Sequence, residues 1–171
     1  RSEGLFAMTR FRTAVLSLCL LLPGLPSAYA QDTNVSFGGI KADTSLPVEV
    51  TADSLSVNQA DGEAIFSGNV LVTQGEMRMT AGEIAVEYED GGKGIKTLHA
   101  TGKVLLVSAA DAVEADAALY TIATGLVTLT GSVLLTQGQA TISGQEMVVD
   151  LKSGTGKIQG RVTTTFIPGK K

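Results

Sequence analysis

The chain has 171 residues, 44% hydrophobic and 5% aromatic, with a formal charge of −4, one Cys, one His and no Trp. That length fits one domain or one domain with an appendage, the acidic balance argues against the basic surface that nucleic-acid binding needs, and the apolar content argues against disorder. Twenty Gly against four Pro predicts many turns or bulges in an otherwise unbroken ladder.

Residues 1–30 read as an export signal. Arg10 and Arg12 form a short basic region, the apolar run Ala14–Leu22 follows, Pro23, Gly24 and Pro26 break it, and Ala28-Tyr29-Ala30 supplies an A-x-A cleavage site. The run is too short for a membrane span, which wants about 20 residues. Met8 is the expected start, with residues 1–7 upstream of it. A lipoprotein signal ending at Leu16-Ser17-Leu18-Cys19 is the rival, and Leu18 is larger than that pattern usually requires before its Cys. Cleavage after Ala30 leaves ten basic and sixteen acidic residues, a net charge of −6, and removes the only Cys. The remainder cannot be a disulfide scaffold, a thiol enzyme or a Cys-ligated metal site. The periplasm of a two-membrane bacterium is the expected compartment. Residues 31–45 are expected to be a flexible N-terminal segment, residues 46–167 one β domain and residues 168–171 a tail.

Within that domain the sequence repeats. Gly68, Gly102, Gly131 and Gly160 are each followed at the second position by a valine, at spacings of 34, 29 and 29 residues. Apolar residues recur at fixed offsets from each glycine: Ala64 and Phe66, Leu98 and Ala100, Val127 and Leu129 before it; Val70 and Val72, Val104 and Leu106, Val133 and Leu135 after it. This period of two predicts a strand, or two collinear strands, running through the glycine with one face inward and the glycine on that face at a bend. Farther on, Met77 and Met79, Asp111 and Val113, and Ala140 and Ile142 keep an odd phase, which then becomes even at Ile84, Val86 and Tyr88, at Ala118, Tyr120 and Ile122, and at Met147, Val149 and Leu151. A one-residue slip at Gly82-Glu83, Asp116-Ala117 and Gln145-Glu146 predicts a β-bulge or corner at each. Upstream, Val48, Val50, Ala52, Leu55 and Val57 repeat the same half-unit. Turn clusters lie between strands at residues 59–62, 90–94 and 152–156, and no 3.6-residue stripe survives two turns. The expectation is ten to twelve short strands in one stacked β architecture.

No catalytic constellation is apparent. His99 is a lone histidine at an outward offset, Glu87 and Glu89 alternate outward beside Val86 and Tyr88, and neither H-E-x-x-H, G-x-S-x-G nor a phosphate loop is present. Catalytic residues, cofactor and metal are therefore all read as none, and the protein as no enzyme.

The recurrent apolar-x-Ala-Asp-x-apolar pattern, as in Val50-Thr51-Ala52-Asp53-Ser54-Leu55 and Val113-Glu114-Ala115-Asp116, followed by a hairpin and x-x-Gly-x-Val, resembles the OstA-like, or LptA, family of periplasmic lipopolysaccharide-transport proteins. The resemblance covers about residues 46–167. Gly82 and Gln145 depart from it, standing where the pattern has Asp. It implies an all-β fold, an elongated and incompletely closed β-jellyroll, whose apolar groove holds lipid A acyl chains and whose units stack end to end between inner and outer membrane. Taken alone, the inward stripes are ordinary core. With the resemblance they become candidate lipid contacts: Phe66, Val70, Val72, Met79, Ile84, Val86, Leu98, Val104, Leu106, Tyr120, Leu129, Val133, Leu135, Ile142, Met147 and Val149. Lys103, Arg78 and Lys96 are candidate rim cations for lipid phosphates. The end strands, residues 47–55 and 161–167, would pair with the inner- and outer-membrane components of the transport machine and with further copies, head to tail. The alternatives are a β-solenoid of adhesin type without lipid transport and an outer-membrane barrel, which the few aromatics and short strands disfavour.

Overall fold

The computed structural model describes the main chain of residues 33–36 and residues 40–58 and 62–166 in full. The expected export signal, residues 1–30, and the expected C-terminal tail, residues 168–171, lie outside the described residues. Eleven strands are found there, in chain order β1 (Thr33–Ser36), β2 (Glu49–Thr51), β3 (Ser54–Asn58), β4 (Glu63–Gln74), β5 (Met77–Tyr88), β6 (Ile95–Ser108), β7 (Asp111–Thr121), β8 (Leu126–Gln137), β9 (Ala140–Asp150), β10 (Thr155–Gln159) and β11 (Thr163–Phe166). They form one unclosed antiparallel sheet in the order β1-β10-β9-β8-β7-β6-β5-β4-β2, with β3 also beside β4 and β11 beside β9. Consecutive hairpins of this kind are not the coil path of a solenoid.

The strands are longer than expected. β4 to β9 have 11 to 14 residues each, because the main chain continues through the glycine instead of ending there. What happens at the glycine is a bulge: pairing shifts between Ser67 and Val70, between Thr101 and Val104, and between Thr130 and Val133. Gly68 and Asn69 both have positive φ, 81° and 47°, as do Gly102 and Lys103, 81° and 63°. A left-handed pair of this kind swings the chain out of the pleat, so one extra residue is absorbed on the glycine strand and the partner strand changes phase. The predicted slips on the partner strands are therefore present, whereas the predicted inward glycine is not. Gly102 and Gly131 are exposed and Gly68 and Gly160 half-buried, on the outside of a corner.

These corners align across the sheet and crease it into two halves. One half holds β3, residues 63–67, 83–88, 95–101, 117–121, 126–130 and 146–150, and β10 with β1; the other holds β2, residues 70–74, 77–81, 104–108, 111–115, 133–137 and 140–144, and β11. Their inward faces meet. A single apolar cluster, from Ile40 to Ile158, draws on both halves, and burying each Leu, Ile, Val or Met side chain there contributes about 1.5–3 kcal/mol. Each corner is filled by what faces the glycine. Asp53 accepts a hydrogen bond from Asn69 Nδ2 at 2.8 Å and lies against Gly68, Asp116 accepts one from the Ser132 N–H at 3.0 Å and lies against Gly131, and Gln145 packs on Gly160. At the fourth corner Gly82 stands in for the acid and lets the Gly102 main chain close onto it. The two departures from the Asp pattern thus occupy the same structural position as the two acids.

Three further expectations are corrected. Leu55, Val57 and Tyr88 follow the inward pattern but are 55%, 60% and 39% exposed. Leu55 and Val57 pair with Phe66 and Ala64 and share their face, but β3 is the last strand of its half and among the described residues nothing covers it. The segment 31–45, expected to be flexible, supplies β1, which pairs with β10, and a stretch beginning at Ile40 that is bonded to both halves. The first end strand runs beyond Leu55 to Asn58, split by the corner at Ala52-Asp53 into β2 and β3.

Candidate functional site

The stripes predicted from the repeat converge on the space between the two halves. Val70, Val72, Met79, Ile84, Val86, Leu98, Val104, Leu106, Tyr120, Leu129, Val133, Leu135, Met147 and Val149 are at most 1% exposed, and Ile142 is 7% exposed. Phe66 is half-buried against them, near the uncovered β3 end. All sixteen candidates line one continuous apolar interior. Pairing joins them laterally, as in Val72 with Met79, Met79 with Leu106, Leu106 with Val113 and Val113 with Leu135.

That interior emerges at both ends of the sheet. Leu55 and Val57 continue it past Phe66 and Ala64 at one end. At the other, Thr164 and Phe166 of β11 pair with Ile142 and Ala140, and Phe166 is 73% exposed.

The free edge of the half that holds β2, opposite the crease, carries residues that the repeat pattern passed over. Gln74, Ser108 and Gln137 stand six residues after Gly68, Gly102 and Gly131, in the inward phase but polar. Gln74 and Ser108 are at most 1% exposed. Each has a partner: Gln74 Oε1 accepts from the Tyr120 hydroxyl at 2.6 Å, bridging the two halves; Gln137 Nε2 donates to buried Asp111 at 2.9 Å; and the Ser108 hydroxyl donates to the Lys41 carbonyl at 3.0 Å. Burial pushes the Tyr120 phenol up, against the opposing pull of its bond to Gln74. A polar residue at one fixed offset in three consecutive units was the signal that could have exposed this rim.

The three candidate cations do not gather. Lys103 sits on the crease, Arg78 is exposed on β5, and Lys96 pairs with Glu87 at 2.6 Å near the β5–β6 turn. The Lys96 and Thr97 hydrogen bonds hold the exposed Glu87 carboxyl below its ordinary value, so it is an ion-pair partner on a solvated face. His99 is exposed between Ala85 and Leu119. Among the described residues no group of three or more His, Cys, Asp or Glu is placed to hold a metal ion.

Comparison with known proteins agrees with this architecture. In sequence the chain is 28% identical to the lipopolysaccharide export system protein LptA of Escherichia coli (strain K12), over 94% of this chain and 90% of that protein. It is 26% identical to an uncharacterized protein of Rhizobium meliloti (strain 1021), over 83% and 82% respectively. In structure it matches LptH, the LptA homologous periplasmic component of the lipopolysaccharide transport device of Pseudomonas aeruginosa, with a TM-score of 0.65 and 19% identity, covering 74% of this chain and 99% of that one. The fold is therefore the incompletely closed β-jellyroll that the resemblance led us to expect. Residues 49–155 match the family model for the LptA/(LptD N-terminal domain) LPS transport protein, and with 107 residues of this chain inside that match, the protein belongs to that family.

Proposed function

We propose that the protein is a periplasmic carrier of lipopolysaccharide, exported by its N-terminal signal with cleavage after Ala30, which holds lipid A acyl chains between the two halves of its sheet and hands them along a bridge from inner to outer membrane. The observation that carries this reading is the continuous inward apolar face, which runs across all the central strands and reaches the surface at both ends. A closed sandwich buries such a face completely, whereas here Leu55, Val57 and Phe166 extend it into solvent. Each acyl methylene received there contributes about 0.8 kcal/mol, and Met77, Met79 and Met147 can repack around several tails. The chain's role is binding and positioning, without a catalytic residue, cofactor or metal.

The test is photo-crosslinking in cells, from small diazirine side chains at Val72, Leu106 and Leu135 to radiolabelled lipopolysaccharide. Adducts are expected from these three and none from Leu119, which is 42% exposed on the outer face. No adduct from any of the three interior positions would overturn the reading.

The ends would join neighbouring units. At the β2 and β3 end one unit presents the outer side of its last described strands and apolar side chains; at the other, β11 closes one half and β1 the other. Strand addition between such ends, to further copies or to the inner- and outer-membrane components of the machine, continues both the ladder and the apolar face. Removing residues 161–171, and β11 with them, should abolish concentration-dependent self-association in sedimentation velocity and weaken partner capture. Unchanged association would show that the ends do not join in this way.

A further inference from the structure

The stretch from Ile40 to Leu46 lies across the open seam of the jellyroll. Its anchors belong to both halves of the sheet. The Ala42 N–H donates to the Leu151 carbonyl at 3.0 Å, at the free edge of the β3 half. The Lys41 carbonyl accepts from Ser108 at 3.0 Å, and the Leu46 and Thr44 carbonyls accept from Gln74 Nε2 at 2.9 and 3.3 Å, all at the free edge of the β2 half. Ile40 is fully buried in the apolar cluster and Ala42 is 5% exposed. Leu46, by contrast, is 43% exposed over the β4–β5 turn. An irregular segment that joins two sheet edges by main-chain and side-chain bonds, with one apolar side chain inserted, is a strap over a slot.

Resting on the carrier reading above, we infer that residues 40–46 are a removable strap, which closes the seam of the empty protein and is displaced when acyl chains enter from the side. Physical economy favours lateral entry here. Gln74 Nε2 and the Ser108 hydroxyl are buried donors beside an apolar space, and the strap's carbonyls accept from them. A lipid whose tails fill the interior and whose polar region stays outside places its own acceptors at the same rim, and so can replace those carbonyls bond for bond. Ile40 occupies the space that a tail would take. The strap belongs to no strand ladder and is held to the two halves by these bonds and by Ile40 and Ala42, so it can open locally without unpairing the sheet.

Asp43 and Lys152 are both exposed and line the same cleft beside the strap, which has a volume of about 680 Å³ and also borders Gly75, Glu76 and Ala109. The test uses the full chain with Asp43→Cys and Lys152→Cys, and with Cys19, its single cysteine, replaced by Ser. A short bis-maleimide then ties the strap to the opposite edge. Uptake of fluorescently labelled lipopolysaccharide and of the small apolar dye N-phenyl-1-naphthylamine is followed by stopped flow before and after linking. Linking should slow uptake at least tenfold, and Ile40→Ser should speed it several-fold, with thermal unfolding used to verify that this variant is folded. Equal rates in linked and unlinked protein would overturn the strap. Dye uptake that linking blocks, in a protein that never takes up lipopolysaccharide, would support the strap while overturning the carrier reading.

Discussion

Leu106→Ala should lower the unfolding free energy by about 2–5 kcal/mol, the range for deleting a fully buried leucine and leaving a cavity. Leu106 lies on β6, paired with Met79 on one side and Val113 on the other, and has no exposed surface. Its neighbours are held by two hydrogen-bonded strands each, so the sheet can collapse into the void only by bending. The control is Leu119→Ala on the outer face, 42% exposed, which should cost less than about 1 kcal/mol. Urea unfolding of both variants, read by circular dichroism, makes the comparison. A loss below about 1 kcal/mol for Leu106→Ala would mean that the interior is loosely filled even without ligand.

Gly102→Ala tests the crease. Gly102 has φ +81°, and a Cβ there would meet the Gly82 Cα at 3.2 Å. The left-handed backbone alone costs a residue with a Cβ about 1–2 kcal/mol, and the clash with main chain, which cannot rotate away, adds about 1–3 kcal/mol of overpacking. Gly92 supplies the matched comparison, with φ +69° and nothing within 4 Å of an added Cβ. Gly92→Ala should show only the backbone contribution. Thermal unfolding of the pair separates the two effects, and equal losses would mean that the close approach of Gly82 and Gly102 carries no weight.

Much of the fold was legible because a half-buried strand writes its geometry into alternation. The offsets of Val70, Val104 and Val133 from their glycines identified the inward face, and the odd-to-even change after Met79 and Val113 located the corners before any coordinates. Main-chain conformation was less legible. A period of two running through Gly102 is equally consistent with an inward glycine and with a bulge that absorbs one residue, and only the register between Thr101 and Val104 distinguishes them. Gln74 and Ser108 went unrecognised because their polarity, at the end of an apolar stripe, resembles the start of a turn. Their partners, Lys41, Thr44, Leu46 and Tyr120, are 28 or more residues away in sequence, beyond the reach of any local pattern.

The amino-acid sequence by itself determined the class of this protein: a β chain in four related units, with an apolar face that changes phase once per unit and a motif shared with lipopolysaccharide-transport proteins. Those properties are local, or repeat at fixed spacing, and side-chain chemistry expresses them directly. Tertiary structure alone decided which parts of that face are sealed and which are open. Leu55 and Leu98 obey the same alternation, yet one is 55% exposed and the other fully buried, because burial depends on whether a second layer lies above. The same dependence turns residues 40–46 from a nondescript polar stretch into the piece that spans the seam.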